Sequence, residues 1–105
     1  MTETRLTVRR ADQGTTAVLE LSGEIDAHTA PQLQAAFDEL RRDGSDDVIV
    51  DLSDVRFVDS LGLRAIVGAH NQLTEDQRRF VLRGLSPAVG RAFEYAGLSD
   101  HLEIL

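Results

Sequence analysis

The sequence predicts one α/β domain spanning all 105 residues, a mixed sheet of about five strands covered by about three helices in the order ββαβαβαβ. Three observations carry this expectation. Short apolar runs at Ala17–Leu21, Val48–Val50 and Phe80–Leu82 alternate with longer segments whose apolar residues recur at helical spacing. Strands alternating with helices imply crossovers of one hand, and so a sheet that is parallel in its later part. A composition of 42% hydrophobic and 28% charged residues, without repeat, linker or low-complexity tract, suits a single packed core.

The elements follow in chain order. Leu6-Thr7-Val8 alternates as a short strand, and Ala17 to Leu21 is a stronger one. The polar Asp12-Gln13-Gly14-Thr15 between them suits a turn, so these two form an antiparallel hairpin. Leu33, Ala36, Phe37 and Leu40 then fall on one helical face, with Thr29 as cap, Pro31 in the first turn and Gly44 at the end. Val48-Ile49-Val50 has the pattern of a strand buried on both faces. A second helix starts at Ser60, its core face Leu63, Ile66, Val67 and His70, with Leu61, Arg64, Gly68 and Asn71 turned the other way. Phe80–Leu82 is the next strand. Ser86-Pro87 opens a third helix with the face Val89, Ala92, Phe93 and Ala96, closed by Gly97, and Leu102–Leu105 forms a final edge strand.

Composition excludes several functions. No apolar run is long enough to span a bilayer, so no direct membrane insertion is expected, and no secretory leader is visible. The absence of cysteine rules out disulfides and thiolate metal sites and fits a cytoplasmic location. A net charge of −7 argues against nucleic acid, and the eleven basic residues, all arginine, are dispersed singly or in pairs. Such an acidic domain can be steered toward a basic patch on a protein partner. An edge strand at either end of the sheet leaves a monomer or a weak dimer open.

Enzymatic motifs are missing. Ser60 lies in Asp-Ser-Leu-Gly and not in a nucleophile elbow; no nucleotide-binding glycine loop occurs; and His28, His70 and His101 lack metal-ligand spacing. No cofactor and no catalytic residue are therefore expected. Carboxylates carry more signal: Asp26 follows one strand, and Asp51, Asp54 and Asp59 are expected to cluster after another, on the rim where open α/β sheets place their sites. Turn and capping roles alone would explain Asp26 and Asp59. Ser60, at a helix N-terminus, is a favourable place for a phosphate, which would put about −1.5 to −2 charge on a surface that shows Leu61 and the Gly68 side of the helix.

Three segments carry a family resemblance: GEIDAHTAPQL at 23–33, DLSDVRFVDSLGL at 51–63 and LSPAVGRAFEYAGL at 85–98. The chain resembles the STAS domain of bacterial anti-sigma factor antagonists, and the element order fits as well. The resemblance implies that Ser60, directly after Asp59, is the phosphoacceptor and that Asp26 lies beside it; Leu61 stands where many relatives carry a second hydroxyl residue. It further implies a partner switch. The unphosphorylated chain binds an anti-sigma factor that is also a serine kinase and thereby frees a sigma factor for transcription, as in a stress response. Phosphorylation of Ser60 releases it, and a phosphatase resets it. On this expectation the interface comprises Asp26, Asp59, Ser60, Leu61, Gly62, Arg64 and Gly68. The alternative is a non-catalytic STAS subunit docked on an ABC-type transport ATPase, which co-purification would distinguish.

Overall fold

The alternation at the start of the chain closes into a hairpin. In the computed structural model, which describes residues 5–105, β1 (Leu6–Arg10) pairs antiparallel with β2 (Thr16–Ile25), placing Leu6 beside Gly23 and Val8 beside Leu21. Backbone bonds of 2.9 and 3.0 Å between Gln13 and Thr16 leave Gly14 and Thr15 as a two-residue turn, and Gly14 takes the positive φ (61°) that such turns need. Helices then alternate with strands: α1 (Ala30–Asp43), β3 (Asp47–Val58), α2 (Ser60–Glu75), β4 (Arg79–Arg83), α3 (Pro87–Tyr95) and β5 (Glu103–Ile104). The sheet order is β1-β2-β3-β4-β5, with every pair after the hairpin parallel.

The register decides which face is the core. Ala17 and Leu19 lie beside Val48 and Val50, which lie beside Phe80 and Leu82. These side chains share one buried cluster with Leu33 and Phe37 of α1, Ile66 and Leu73 of α2, and Val89 and Phe93 of α3. All three helices therefore cover one face, as crossovers of a single hand stepping in one direction require. The other face carries Val18, Ile49 and Val81 in a row across the sheet, among the ion pairs Arg9–Glu20 (3.5 Å), Arg83–Asp51 (3.0 Å) and Arg79–Glu103. Ile49 is consequently only half-buried, where its run suggests burial on both faces.

Several details differ from expectation. Thr29 occupies the cap position of α1 but does not cap it; its buried hydroxyl donates to the Glu24 carbonyl (2.9 Å) and accepts from the Asp26 N–H (2.9 Å). Pro31 in the first turn and Gly44 at φ 75° bound the helix as expected. In α2 the core face is Gly62, Leu63, Ala65, Ile66, Ala69 and Leu73, whereas Val67 and His70 are half-buried. The arc is rotated toward small residues because α2 packs on α1 as well as on the sheet. Ser86 caps α3 by accepting from the Val89 N–H (3.3 Å), and Ala96 is exposed beyond the last turn.

β3 is the largest departure, running from Asp47 to Val58 where the sequence marks Val48–Val50. Two irregularities break its alternation. Between Glu20–Asp51 and Ser22–Asp54, and again between Gly23–Val55 and Glu24–Phe57, β3 spends one residue more than β2. Bulges of this kind turn a strand and re-aim its side chains.

A candidate site at the carboxyl ends of β2 and β3

β2 and β3 end side by side, Ile25 opposite Val58, and the Asp59 N–H donates to the Ile25 carbonyl at 3.0 Å. This brings the Asp26 loop against the start of α2. Gly62 completes the contact: a Cβ there would lie 2.6 Å from the Ile25 Cγ2 and 2.8 Å from its carbonyl oxygen, so only glycine lets the first turn of α2 approach so closely.

Each carboxylate on this rim has a structural task. Asp59, with extended backbone, accepts from the Gly62 N–H at 2.9 Å and is the N-cap of α2. Asp26 Oδ1 accepts from the N–H groups of His28 (2.9 Å) and Thr29 (3.1 Å), and the Arg5 guanidinium stands 3.6 Å from Oδ2. Burial works to raise the Asp26 carboxyl, but those N–H groups, with His28 and Arg5, outweigh it and hold it below the usual carboxylate range. Ser60 is the first residue of α2, exposed, and not the residue that caps it.

From Leu61 onward, the side of α2 that faces α1 is largely apolar. Leu61 is 43% exposed, Arg64 is exposed one turn further along α2, and a Cβ added at Gly68 would meet nothing within 4 Å. A groove of about 460 Å³ runs between α1 and α2, walled by Ala27, Pro31 and Gln34 on one side and Leu61, Arg64 and Gly68 on the other. The structure therefore gathers Asp26, Asp59, Ser60, Leu61, Gly62, Arg64 and Gly68 at one end of the sheet and along the adjoining side of α2.

Asp51 and Asp54 do not join them. Both lie within β3, because the strand continues through its bulge. Asp51 Oδ1 accepts from the Ser53 N–H (2.9 Å) and hydroxyl (2.5 Å), and Asp51 pairs with Arg83, while Asp54 lies opposite Ser22. His70 and His101, remote in sequence, meet with ring centroids 4.9 Å apart around Asn71. Among the described residues no group of three or more His, Cys, Asp or Glu could hold a metal ion, and no helix is long and apolar enough to cross a membrane.

Sequence reasoning missed Phe57 and Tyr95, 50% and 87% exposed, which line a smaller groove of about 240 Å³ between the end of β3 and α3. A signal was present. Phe57 and Val58 are consecutive, and neighbours in a strand cannot both face one core.

Comparison with known proteins places these features in a family. A family profile described as "Mlab, STAS domain" matches residues 8–105. The anti-sigma-B factor antagonist of Staphylococcus aureus is 34% identical over 86 residues, covering 82% of this chain and 80% of that protein. Among solved structures, an anti-sigma factor antagonist from Mycobacterium paratuberculosis superposes with a TM-score of 0.87 at 29% identity, covering 94% of this chain and 84% of its own. The anti-sigma factor antagonist SpoIIAA in its unphosphorylated form superposes with a TM-score of 0.80 at 25% identity, covering 94% and 88%.

Proposed function

Because the chain belongs to the STAS domain family, we propose that it is a non-catalytic anti-sigma factor antagonist whose binding is switched off by phosphorylation of Ser60. The observation that carries this reading is the division of labour at the start of α2. Asp59 supplies the cap, so the exposed hydroxyl of Ser60 is free for chemistry that does not disturb the fold.

The mechanism follows from charge and solvation. In the unmodified chain Leu61 and the α1–α2 groove offer an apolar surface to the anti-sigma factor, with Arg64 at its margin. A phosphate on Ser60 would replace a neutral hydroxyl by a strongly hydrated anion beside that surface. The partner would then have to strip its hydration on docking, and the Asp26 and Asp59 carboxylates would add like charge nearby. A loss of about 3 kcal/mol weakens binding roughly a hundredfold. The kinase that modifies Ser60 is the anti-sigma factor itself, using its own ATP and magnesium, and a phosphatase restores the binding form.

The test is calorimetric titration of the chain with the anti-sigma kinase of its own organism. Ser60→Ala is expected to bind as the unmodified chain does, while Ser60→Asp and Ser60→Glu lose binding about a hundredfold or more. Equal affinity of all three would overturn the switch. Stable co-purification with an ABC-type ATPase in place of a soluble kinase would overturn the choice of partner.

A further inference from the structure

We infer that the groove between the end of β3 and α3 is a second docking site, which takes an acidic protein segment bearing an aliphatic or aromatic anchor. This goes beyond the role of Ser60 and does not depend on phosphorylation.

The groove is built by two independent features. One is the bulge in β3: Arg56 is the extra residue between the pairs Gly23–Val55 and Glu24–Phe57, and it leaves both Arg56 and Phe57 facing outward. The other is a stripe along α3, where Ala88, Arg91, Ala92 and Tyr95 follow one another at i, i+3, i+4 and i+7 and share a face. Val58 and Val89 lie between these walls. Each wall carries one aromatic ring, Phe57 or Tyr95, the two alanines keep the stripe shallow, and the volume of about 240 Å³ is on the scale of a side chain, given that a dry cavity of about 150 Å³ admits benzene.

Charge selects the occupant. The chain carries −7, and most of its arginines are paired with carboxylates; among the described residues only Arg42, Arg56, Arg64 and Arg91 lack such a partner. Two of these four, Arg56 and Arg91, sit on one 240 Å³ groove beside Phe57 and Tyr95. Arginine with exposed aromatics is the composition of interface anchors, and an unpaired guanidinium is matched by a carboxylate. A nucleic acid would need a broader cationic footprint than two arginines on an acidic protein. A peptide segment with carboxylates beside one apolar side chain satisfies both the walls and the charges.

The test is an NMR titration of the full ¹⁵N-labelled chain with a short synthetic peptide of glutamates and aspartates around a central Leu-Tyr pair. Its control is the same peptide with lysine in place of each acid. The expected result is a set of amide shifts confined to residues 56–58 and 88–95, absent with the lysine peptide. Affinity should fall at least tenfold in Arg56→Glu and in Arg91→Glu, and be unchanged in Arg42→Glu, which alters net charge equally at a distant place. Shifts located elsewhere, equal binding of the lysine peptide, or an equal loss in Arg42→Glu would overturn the inference. So would shifts at this groove that grow with protein concentration without peptide, which would make it a contact between copies of the chain.

Discussion

At Ser60 the hydroxyl makes no hydrogen bond among the described residues, because Asp59 takes the capping bond to the Gly62 N–H. On the proposed function, stability and switching are then separate, and the two are expected to respond to different substitutions. Asp59→Ala should lower stability by about 1 kcal/mol in urea denaturation, with Asp59→Asn retaining most of it, since either side chain can accept the bond. Ser60→Ala should stay within about 0.5 kcal/mol of the parent, as an exposed substitution that leaves the Asp59 cap in place. The two glycines of α2 divide similarly. Gly62→Ala forces a Cβ to within 2.6 Å of the Ile25 side chain and is expected to cost about 1–3 kcal/mol. Gly68→Ala meets open space and should instead stabilise the helix by about 0.5–1 kcal/mol. If Gly68 keeps the α1–α2 groove open for a partner, the same variant will bind the anti-sigma factor more weakly while being more stable.

Among the elements, α1 shows how a remote side chain finishes a helix. Its terminal carbonyls at Leu40 and Arg41 accept from the Arg78 guanidinium at 2.8 and 3.3 Å, and Arg78 also donates to the Ser45 carbonyl. Arg78→Ala is therefore expected to cost about 1.5–3 kcal/mol in the same urea experiment, the scale of a lost charged hydrogen bond. Nothing in the helical periodicity of residues 30–43 points to that arginine, because the contact spans more than thirty positions. The hairpin, the helix starts and the parallel order were legible, each resting on local rules of spacing, capping and turn chemistry. β3 was not, and the reason is physical: its buried residues fall at Val50, Leu52, Val55 and Val58, so the two bulges replace a period of two by steps of three. Because β3 runs on through these bulges to Val58, Asp51 and Asp54 lie inside the strand and not on the rim, and one bulge exposes Phe57. The placement of Asp26, Asp59 and Ser60 at the ends of neighbouring strands was readable from their positions after apolar runs. The groove beside them depends on how α1 and α2 pack, which no local pattern encodes.

For the molecule as a whole, carboxylates held by ion pairs and hydrogen bonds make stability respond to acid. Burial alone would raise the Asp26, Asp43 and Asp51 carboxyls, but backbone N–H groups, serine hydroxyls at Asp43 and Asp51, and nearby guanidinium groups hold all three below 3.8, the ordinary value. A carboxyl lowered in the folded state contributes stability above its unfolded value and loses it as pH falls through the folded value. The urea midpoint is therefore expected to be steady as pH falls from neutrality toward that ordinary value and to decline below it. Asp51→Asn should make the decline shallower, and an unchanged slope would place the acid sensitivity elsewhere. The proposed switch is tested more sharply on the intact protein. It requires a reversible phosphate on Ser60, and the direct measurement is the intact mass of protein isolated from its own cells, before and after phosphatase treatment, with peptide mapping across residues 51–69. The expected result is a phosphatase-sensitive phosphate that maps to Ser60. A phosphate on another residue, or unmodified protein under every growth condition, would contradict it.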